Sequence, residues 1–415
     1  MTHSHLATPS IKLLDRAVGG HRLSANEILR LYELPSHELA VAAHAVRQRR
    51  TDPEVATYSI GGNIDYTNVC AVACRFCAFY RAKHQDGAFT LTFDEIARQM
   101  DEIRQIGGLD VLIQGGVNPE LPFTWYLDLL RFLKSGYSEI HIDGFSPEEI
   151  FGLEKLTGRD ALDILSDLKE AGLDGMPGAS AEILVDEVRE RSAPTRMKSG
   201  DWFRIIDAAM KVGLHNPWAA MVIGFGETRS QRVEHLIALR DQQDRGLEHY
   251  GCGFSAFKVW PARLEHTRLR GKAAQAADEA IIKDYLRDVA IARLALDNVQ
   301  NHRAVWRTMG FPVATLALRS GANDVCGTGS INAINACIEA AGKDLPDPTE
   351  ALIRQICECI ENAGVSAALR DPYYNILSRH RAKALRAPEL IRSRDSSSIS
   401  ESINSAILAR RKNAP

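Results

Sequence analysis

The sequence predicts an α/β protein built as a closed (βα)8 barrel of the TIM type, with N-terminal helices and a C-terminal helical extension. Three observations predict it. Strand-like and helix-like patterns alternate from residue 58 onward, the mark of a parallel sheet wrapped by helices. At 415 residues the chain exceeds the ceiling of about 250 to 300 for a simple single core, yet no Pro- or Gly-rich linker divides it. Finally, the chemically unusual stretches, three close cysteines and several glycine-rich turns, fall after predicted strands, where barrel enzymes keep their chemistry.

Two amphipathic segments precede the barrel and are expected to cover one end of it. Ser24-Ala25-Asn26-Glu27 opens the first as a capping box, and Pro35 begins the second. Residues 58–66 alternate as a first strand that runs directly into the cysteines. Further strands are expected at 110–116, 139–145, 173–178, 218–224, 253–260, 302–306 and 322–326. Helices are expected at 92–107, 123–136, 147–172 with a break at Gly158, 182–192, 201–213, 230–246 and 278–298. The first of these opens on Thr92 with Glu95 three residues on and stops at Gly107. Residues 330–342 and 349–364 read as additional helices, and the Ser-rich stretch from Ser393 as a frayed tail. The expected organisation is therefore 1–55 helical, 56–330 barrel, 331–392 helical extension and 393–415 tail.

An apolar fraction of 45% with 25% charged residues is ordinary for a soluble globular protein. A net charge of −3 without a long basic run argues against a nucleic-acid or anionic-membrane partner and for a small-molecule substrate. The first ten residues lack the pattern of a signal peptide, and no apolar run approaches the ~20 residues needed to cross a bilayer. A cytoplasmic protein is expected. In that reducing compartment the eight cysteines read as ligands, nucleophiles or small core residues rather than disulfides.

Cys70, Cys74 and Cys77 are close enough in sequence for one loop to bring three thiolates to a point. Thiolates suit iron–sulfur clusters or zinc, and both normally take four protein ligands. No fourth cysteine follows in the loop, and no histidine nearer than His84. Spacing alone leaves open a zinc site short of one ligand, a disulfide with a spare thiol, or a cluster with one open iron. Cys357-Glu358-Cys359 points its thiols to different helix faces, which is poor for one metal. Cys252 and Cys326 are the better candidates for a second cluster.

The CxxxCxxC spacing resembles that of the radical S-adenosylmethionine (SAM) enzymes. The resemblance implies a [4Fe-4S] cluster on Cys70, Cys74 and Cys77, SAM on its open iron, and an external one-electron reductant of the flavodoxin or ferredoxin type. It further implies that Phe76 packs on the adenine. Gln114, Gly115 and Gly116 would meet the methionyl amine through backbone groups, since Val117 stands where many members have Glu. Ser180 and Glu182 would contact the ribose or methionyl part, although Glu182 would also suit a helix N-terminus by its charge alone. In Met221-Val222-Ile223-Gly224-Phe225-Gly226-Glu227-Thr228, the backbone of Ile223 and Gly224 would meet the adenine. Toward the substrate, His141, Asp143, Tyr80 and Glu149 are the candidate catalytic groups, His141 and Asp143 because alternate residues share one strand face. Tyr66, Arg81, Trp260, Arg303, Trp306 and Asp324 also fall at predicted strand ends.

The likeness extends through Asn63-Ile64-Asp65-Tyr66-Thr67-Asn68-Val69-Cys70, Gln114-Gly115-Gly116-Val117-Asn118-Pro119, Phe145-Ser146-Pro147-Glu148-Glu149-Ile150 and Ala181-Glu182-Ile183-Leu184-Val185-Asp186. Over roughly residues 22–318 these are similar to the group that makes menaquinone through futalosine and the deazaflavin coenzyme, the cyclic dehypoxanthine futalosine synthases above all. The reaction this implies is hydrogen abstraction from a ribose followed by addition of the sugar radical to a benzoate ring. Three stretches depart from the group: Gly224-Phe225-Gly226-Glu227-Thr228 in place of Gly-His-Val-Glu-Thr, Asp143-Gly144 in place of His-Ala or His-Ser, and the sequence after Gly327. A paralogue for another aromatic or nucleoside-like substrate, of the aminofutalosine synthase or deazaflavin-precursor synthase type, is the alternative these departures leave, with a non-catalytic zinc protein as the opposed reading.

Overall fold

The computed structural model describes residues 7–264, 267–269, 278–327 and 348–380. Its strands are β1 (Val55–Tyr58), β2 (Gly61–Asp65), β3 (Asp110–Gln114), β4 (His141–Gly144), β5 (Ala219–Ile223), β6 (Ala256–Pro261), β7 (Asn301–Ala304), β8 (Asp324–Val325), β9 (Ser366–Arg370) and β10 (Ile376–His380). One parallel run is β2, β3 and β4; a second is β5, β6, β7, β8 and β1.

Residues 173–178, expected as the fourth strand, stitch the two runs together without forming a regular strand. Gly144 N donates to Gly175 O at 2.9 Å, Met176 N to His215 O at 2.8 Å, and Gly178 N to Trp218 O at 2.7 Å. The segment passes too close to its neighbours to carry side chains throughout: a Cβ on Gly175 would lie 2.1 Å from Asp143 Oδ1. On the other side, β1 and β2 are one run of chain bent at Ser59 and Ile60, with β1 paired to β8 and β2 to β3. The ring of eight strand positions is thereby closed, as the alternation predicts.

The expected helices form around it, with boundaries set by local chemistry. Phe93–Gln105, Pro147–Thr157 and Arg229–Tyr250 each begin at a capping box, on Thr92, Ser146 and Thr228. The helix expected from residue 182 starts instead at Asp186, because Ser180 and Glu182 adopt φ of 61° and 38° and Leu184 N–H is taken by His235 Nδ1 at 3.0 Å. The helix expected to stop at Gly246 continues to Tyr250, since Gly246 serves close packing, where a Cβ would lie 2.6 Å from Met210 Sδ. Gly251, at φ 65°, ends it.

The N-terminal helices, Ala7–Val18, Ala25–Leu31 and Ser36–Arg50, do not cover a barrel end as expected. They pack outside it against Arg229–Tyr250 and Asp278–Ala295, with Arg240 donating to Leu23 O at 2.8 Å and Arg287 to Leu34 O at 2.7 Å. Leu23, Ile28, Leu31 and Leu39 are buried there and dictate the placement.

The expectation that 331–392 is wholly helical is corrected. After the helix Pro348–Asn362 come β9, parallel to β1, and β10, antiparallel to β9. A three-residue apolar run, Ala367-Ala368-Leu369, between Ser366 and Arg370 is too short to carry a periodicity that separates strand from helix. The turn between these strands is held by the Asp371 carboxylate, which accepts from Tyr373 N at 2.9 Å and Asn375 N at 2.8 Å. Tyr373 closes on the N-terminal ends of the barrel strands, its ring centroid 5.2 Å from that of His141 and 4.7 Å from that of His215. The helix expected at 330–342 and the tail from Ser393 lie outside the described residues. No helix among the described residues is long and apolar enough to cross a membrane.

Candidate active site

The loop after β2 returns on itself. Cys70 N donates to Arg81 O at 3.1 Å and Arg81 N to Asn68 O at 2.9 Å, so residues 70–81 leave and re-enter the sheet at one place. The glycine loop after β3 clamps it: Ala71 N donates to Val117 O at 2.8 Å, and a Cβ on Gly116 would lie 2.2 Å from Val69 O and 2.8 Å from Cys70 Cβ. Only glycine permits that approach. All three cysteines are half-buried, and Cys70 lies within electrostatic reach of both Cys74 and Cys77. Burial pushes the Cys74 thiol up to about 12 and the Cys77 thiol upward too. Three soft donors on one closed loop, without a fourth in that loop, fit a [4Fe-4S] cluster with an open iron better than structural zinc, which takes four.

Cys77 lines a cavity of 660 Å3 that runs down the barrel interior. At its rim, Glu182 is paired with Arg196, which is 5% exposed and also donates to Ser180 O at 2.8 Å and Glu148 Oε2 at 3.2 Å. The Arg196 guanidinium stands 5.4 Å over the Phe76 ring, and Phe76 and Phe225 have centroids 4.9 Å apart. Phe76, Phe225, Glu182 and Val222 border a second hollow of 220 Å3. A largely apolar hollow with aromatic rings and a carboxylate on its border suits a nucleoside. Phe225 was not singled out by the sequence, and only its proximity to Gly224 would have signalled it.

The backbone after β5 is committed differently from expectation. Gly224 N donates to Glu227 Oε1 at 3.0 Å and Phe225 N to Glu227 Oε2 at 2.8 Å, while Arg232 binds the same carboxylate at 2.9 Å. Ile223 O accepts from Ala262 N at 2.8 Å. Gly224 N–H is thus held by Glu227, and Ile223 O retains one lone pair for a ligand. Gly115 N donates to Glu149 and Gly116 N to Thr67 O, at 3.1 and 2.9 Å; Gln114 lines the cavity and donates to Asp65 at 3.4 Å.

The candidate catalytic groups are dispersed. Glu149 borders the cavity but closes the capping box of its helix, accepting from Ser146 N and Oγ at 2.7 Å and from Tyr66 Oη at 2.7 Å. Burial pushes it up to about 7 against those donors. His141 is the first residue of β4, far along the strand from the cysteine loop, and binds Asp143 Oδ1 at 3.0 Å. Asp143 borders the cavity at that floor. Burial opposes a charge on His141, but the adjoining Asp143 outweighs it and raises the imidazole's pKa. Tyr80 does not border the cavity; its ring lies under Arg268, 5.2 Å from the guanidinium carbon.

Other cavity residues were missed or undervalued from sequence. Asp65, Asp110 and Lys258 face inward because they alternate with core residues on β2, β3 and β6, a signal available in the sequence. Asp324, fully buried, accepts from Arg370 at 2.5 and 3.1 Å and lies 3.4 Å from Arg303. Arg370 comes from β9, so no local pattern could have placed it.

Comparison with known proteins agrees with this geometry. The Radical SAM superfamily profile matches residues 64–239, and that of the CofH/MqnC C-terminal region matches 251–383. The cyclic dehypoxanthine futalosine synthase of Halalkalibacterium halodurans is 37% identical over 366 residues, covering 88% of this chain and 94% of that protein. The 5-amino-6-(D-ribitylamino)uracil--L-tyrosine 4-hydroxyphenyl transferase of Microcystis aeruginosa is 33% identical, covering 90% and 100%. Among solved structures, the FeFe-hydrogenase maturase HydG of Carboxydothermus hydrogenoformans shares the fold at a TM-score of 0.66 and 15% identity, over 89% of this chain and 81% of that one. With the cysteine loop at the mouth of a closed parallel barrel and these relatives spanning nearly the whole chain, the protein is an enzyme of the radical SAM superfamily, in the group that carries the CofH/MqnC C-terminal region.

Proposed function

We propose that the enzyme cyclises dehypoxanthine futalosine, giving the product for which its relative from Halalkalibacterium halodurans, a cyclic dehypoxanthine futalosine synthase, is named, and that it does so by forming a carbon–carbon bond. One observation carries the reading: Cys77 and the polar barrel interior border the same 660 Å3 cavity, so a substrate there lies next to the cluster loop. Cys70, Cys74 and Cys77 would hold the [4Fe-4S] cluster. When bound, cluster and SAM supply a 5′-deoxyadenosyl radical that takes a hydrogen atom from the substrate.

This chain's own residues do the rest. The adenine would pack against the edge that Phe76 and Phe225 form together, Ile223 O would accept from it, and Glu182, oriented by Arg196, would accept from the ribose hydroxyls. Ser180 adopts φ 61° and gives its carbonyl to Arg196 and Arg189, which leaves its side chain as the group that would meet the ligand beside Glu182. The glycines of the β3 loop bring Gln114 and the backbone of 115–116 against the cluster loop, where the methionyl amine would lie. Asp143, with His141 behind it, would hold a proton-accepting group at the floor. The bulk of the barrel wall keeps water from the reacting carbon. The electron would come from a flavodoxin- or ferredoxin-type donor in the cytoplasm, a compartment that suits the absence of disulfides among the described residues.

Anaerobic reconstitution with iron and sulfide tests it. With SAM, a reductant and dehypoxanthine futalosine, the expected products are 5′-deoxyadenosine, which has taken one hydrogen atom from the substrate, methionine, and a cyclised nucleoside two hydrogens lighter than the substrate, its second hydrogen lost as a proton and an electron, seen by mass spectrometry. Formation of 5′-deoxyadenosine with the nucleoside recovered intact would point to another substrate, such as that of the tyrosine-dependent relatives.

A further inference from the structure

Adjacent segments of the barrel wall bring two imidazoles and a carboxylate together at the floor. His141 and Asp143 occupy alternate positions of β4 and so share one face. Asp143 is in register with Gly175, and Gly175 with His215, so these three residues form one row across the wall. The middle one has no side chain. A Cβ on Gly175 would lie 2.1 Å from Asp143 Oδ1 and 3.3 Å from His215 Cβ, so only glycine lets the flanking side chains meet above it.

His141 Nε2 lies 3.0 Å and His215 Nδ1 3.9 Å from Asp143 Oδ1, and the donor atoms of the three residues all fall within 4.8 Å of one another. The side chains of His215 and Asp143 are each 10% exposed. Among the described residues Asp143 pairs with these imidazoles and with no lysine or arginine. His215 Nε2 is engaged with Ser255 Oγ at 2.8 Å, whereas Nδ1, buried and turned toward the carboxylate, has no hydrogen-bond partner. A buried ring nitrogen left so is costly. A polar contact on the far nitrogen is also what orients histidines that ligate metals. The 3.9 Å gap is too long for a hydrogen bond, yet it lies within the roughly 4.2 Å that two bonds of about 2.1 Å to one ion can span.

We propose that His141, Asp143 and His215 form a site for a divalent transition-metal ion, of which zinc is the best match. Two imidazoles and a carboxylate are a donor set that zinc takes with water in the fourth position. A modest turn of the rings seats one ion among all three. Tyr373 closes the site from below, its ring against both imidazoles. The ion would tie β4 to the chain leading into β5 across residues 173–178, where a regular strand is missing. Asp143 would give Oδ1 to the ion and keep its other oxygen for the cavity it borders. The site lies far along β4 from the cysteine loop, and nothing in it depends on the cyclisation reading.

The test dialyses reconstituted protein, first cleared of loosely held iron with EDTA, against zinc and counts zinc and iron per chain. Wild type is expected to take one zinc in addition to its cluster iron, and His215→Ala to lose most of that zinc with its iron unchanged. X-ray absorption at the zinc edge of the wild type should show nitrogen and oxygen at about 2.0 to 2.1 Å and no sulfur near 2.3 Å, which separates this site from zinc on free thiolates. Wild type that takes no zinc, zinc held by sulfur, or His215→Ala that keeps its full zinc overturns the proposal. Should His215→Ala not fold, the wild-type count and its absorption spectrum decide alone. Both are read without substrate, so the metal site can fail while dehypoxanthine futalosine is cyclised, and hold while it is not.

Discussion

The three cysteines carry distinct structural duties on one loop. Cys70 sits where the glycine loop clamps the chain, Cys74 begins the turn that Cys77 N closes at 3.3 Å, and Cys77 opens onto the cavity. Replacing any one with Ala should abolish cluster retention and SAM cleavage, measured as iron per chain and as 5′-deoxyadenosine; full activity in one variant would remove that residue from the ligand set. Glu227, fully buried, organises the turn that carries Gly224 and Phe225. Glu227→Ala should weaken SAM binding on the order of tenfold in equilibrium dialysis, because two backbone donors and Arg232 lose a charged acceptor. A third prediction concerns pH. His141 faces Asp143, His215, Asp174, Asp110 and Tyr373, and its pKa is raised in the fold. A raised pKa means stability that is complete below about 6.5 and lost as pH rises through the folded value. In chelated protein, the Tm advantage of wild type over His141→Asn should therefore shrink as pH rises above about 6.5, and a gap that grows would reverse the assignment. Placement at this scale was partly legible in the sequence: the three cysteines, singled out by spacing, share one loop, and Phe76, Gly116 and Glu182, named by resemblance, lie on or beside it. Tyr80, singled out for its adjacency to the cysteines, turns to Arg268 and not to the cavity, since adjacency in sequence says nothing about which way a loop side chain turns.

At the scale of elements, the β9–β10 hairpin is the piece that sequence did not reveal. Its arginine reaches past β1 to Asp324 on β8, and its tyrosine seals the floor against His141 and His215. Strand-helix alternation is a local signal and identified the eight barrel positions, including the irregular fourth. A short strand that pairs with β1 from more than 300 residues away leaves no such trace. The pairing makes Asp324 a shared anion for Arg370 and Arg303, with Thr57 Oγ1 donating at 2.7 Å. Asp324→Ala strands two buried guanidinium groups and should cost about 3 to 5 kcal/mol in urea unfolding. Asp324→Asn, which keeps the acceptor for Thr57 but not the charge, should also destabilise; a wild-type midpoint in both variants would show that the hairpin is held by β-pairing alone.

Across the whole molecule, the barrel is wound around a cavity instead of a packed interior. Three apolar layers of side chains would fill a barrel of this kind. Here Asp65, Asp110, Asp143, Lys258 and Arg303 project inward, and the space between them stays open to a ligand. The outer helices and N-terminal helices supply the apolar core that the interior lacks. Closure at one end by the hairpin and chemistry at the other by the cysteine loop leave a single direction for a substrate to lie. The sequence motifs disclosed the chemistry of the mouth, since those loops are locally encoded. They did not disclose the charge distribution inside, which depends on register across all eight strand positions. The most direct measurement of the central claim follows deuterium from the ribose of labelled dehypoxanthine futalosine during anaerobic turnover. The 5′-deoxyadenosine formed is expected to have gained deuterium, with none formed by the three Cys→Ala variants; 5′-deoxyadenosine formed without label while the substrate keeps all of its own would contradict hydrogen abstraction from this substrate.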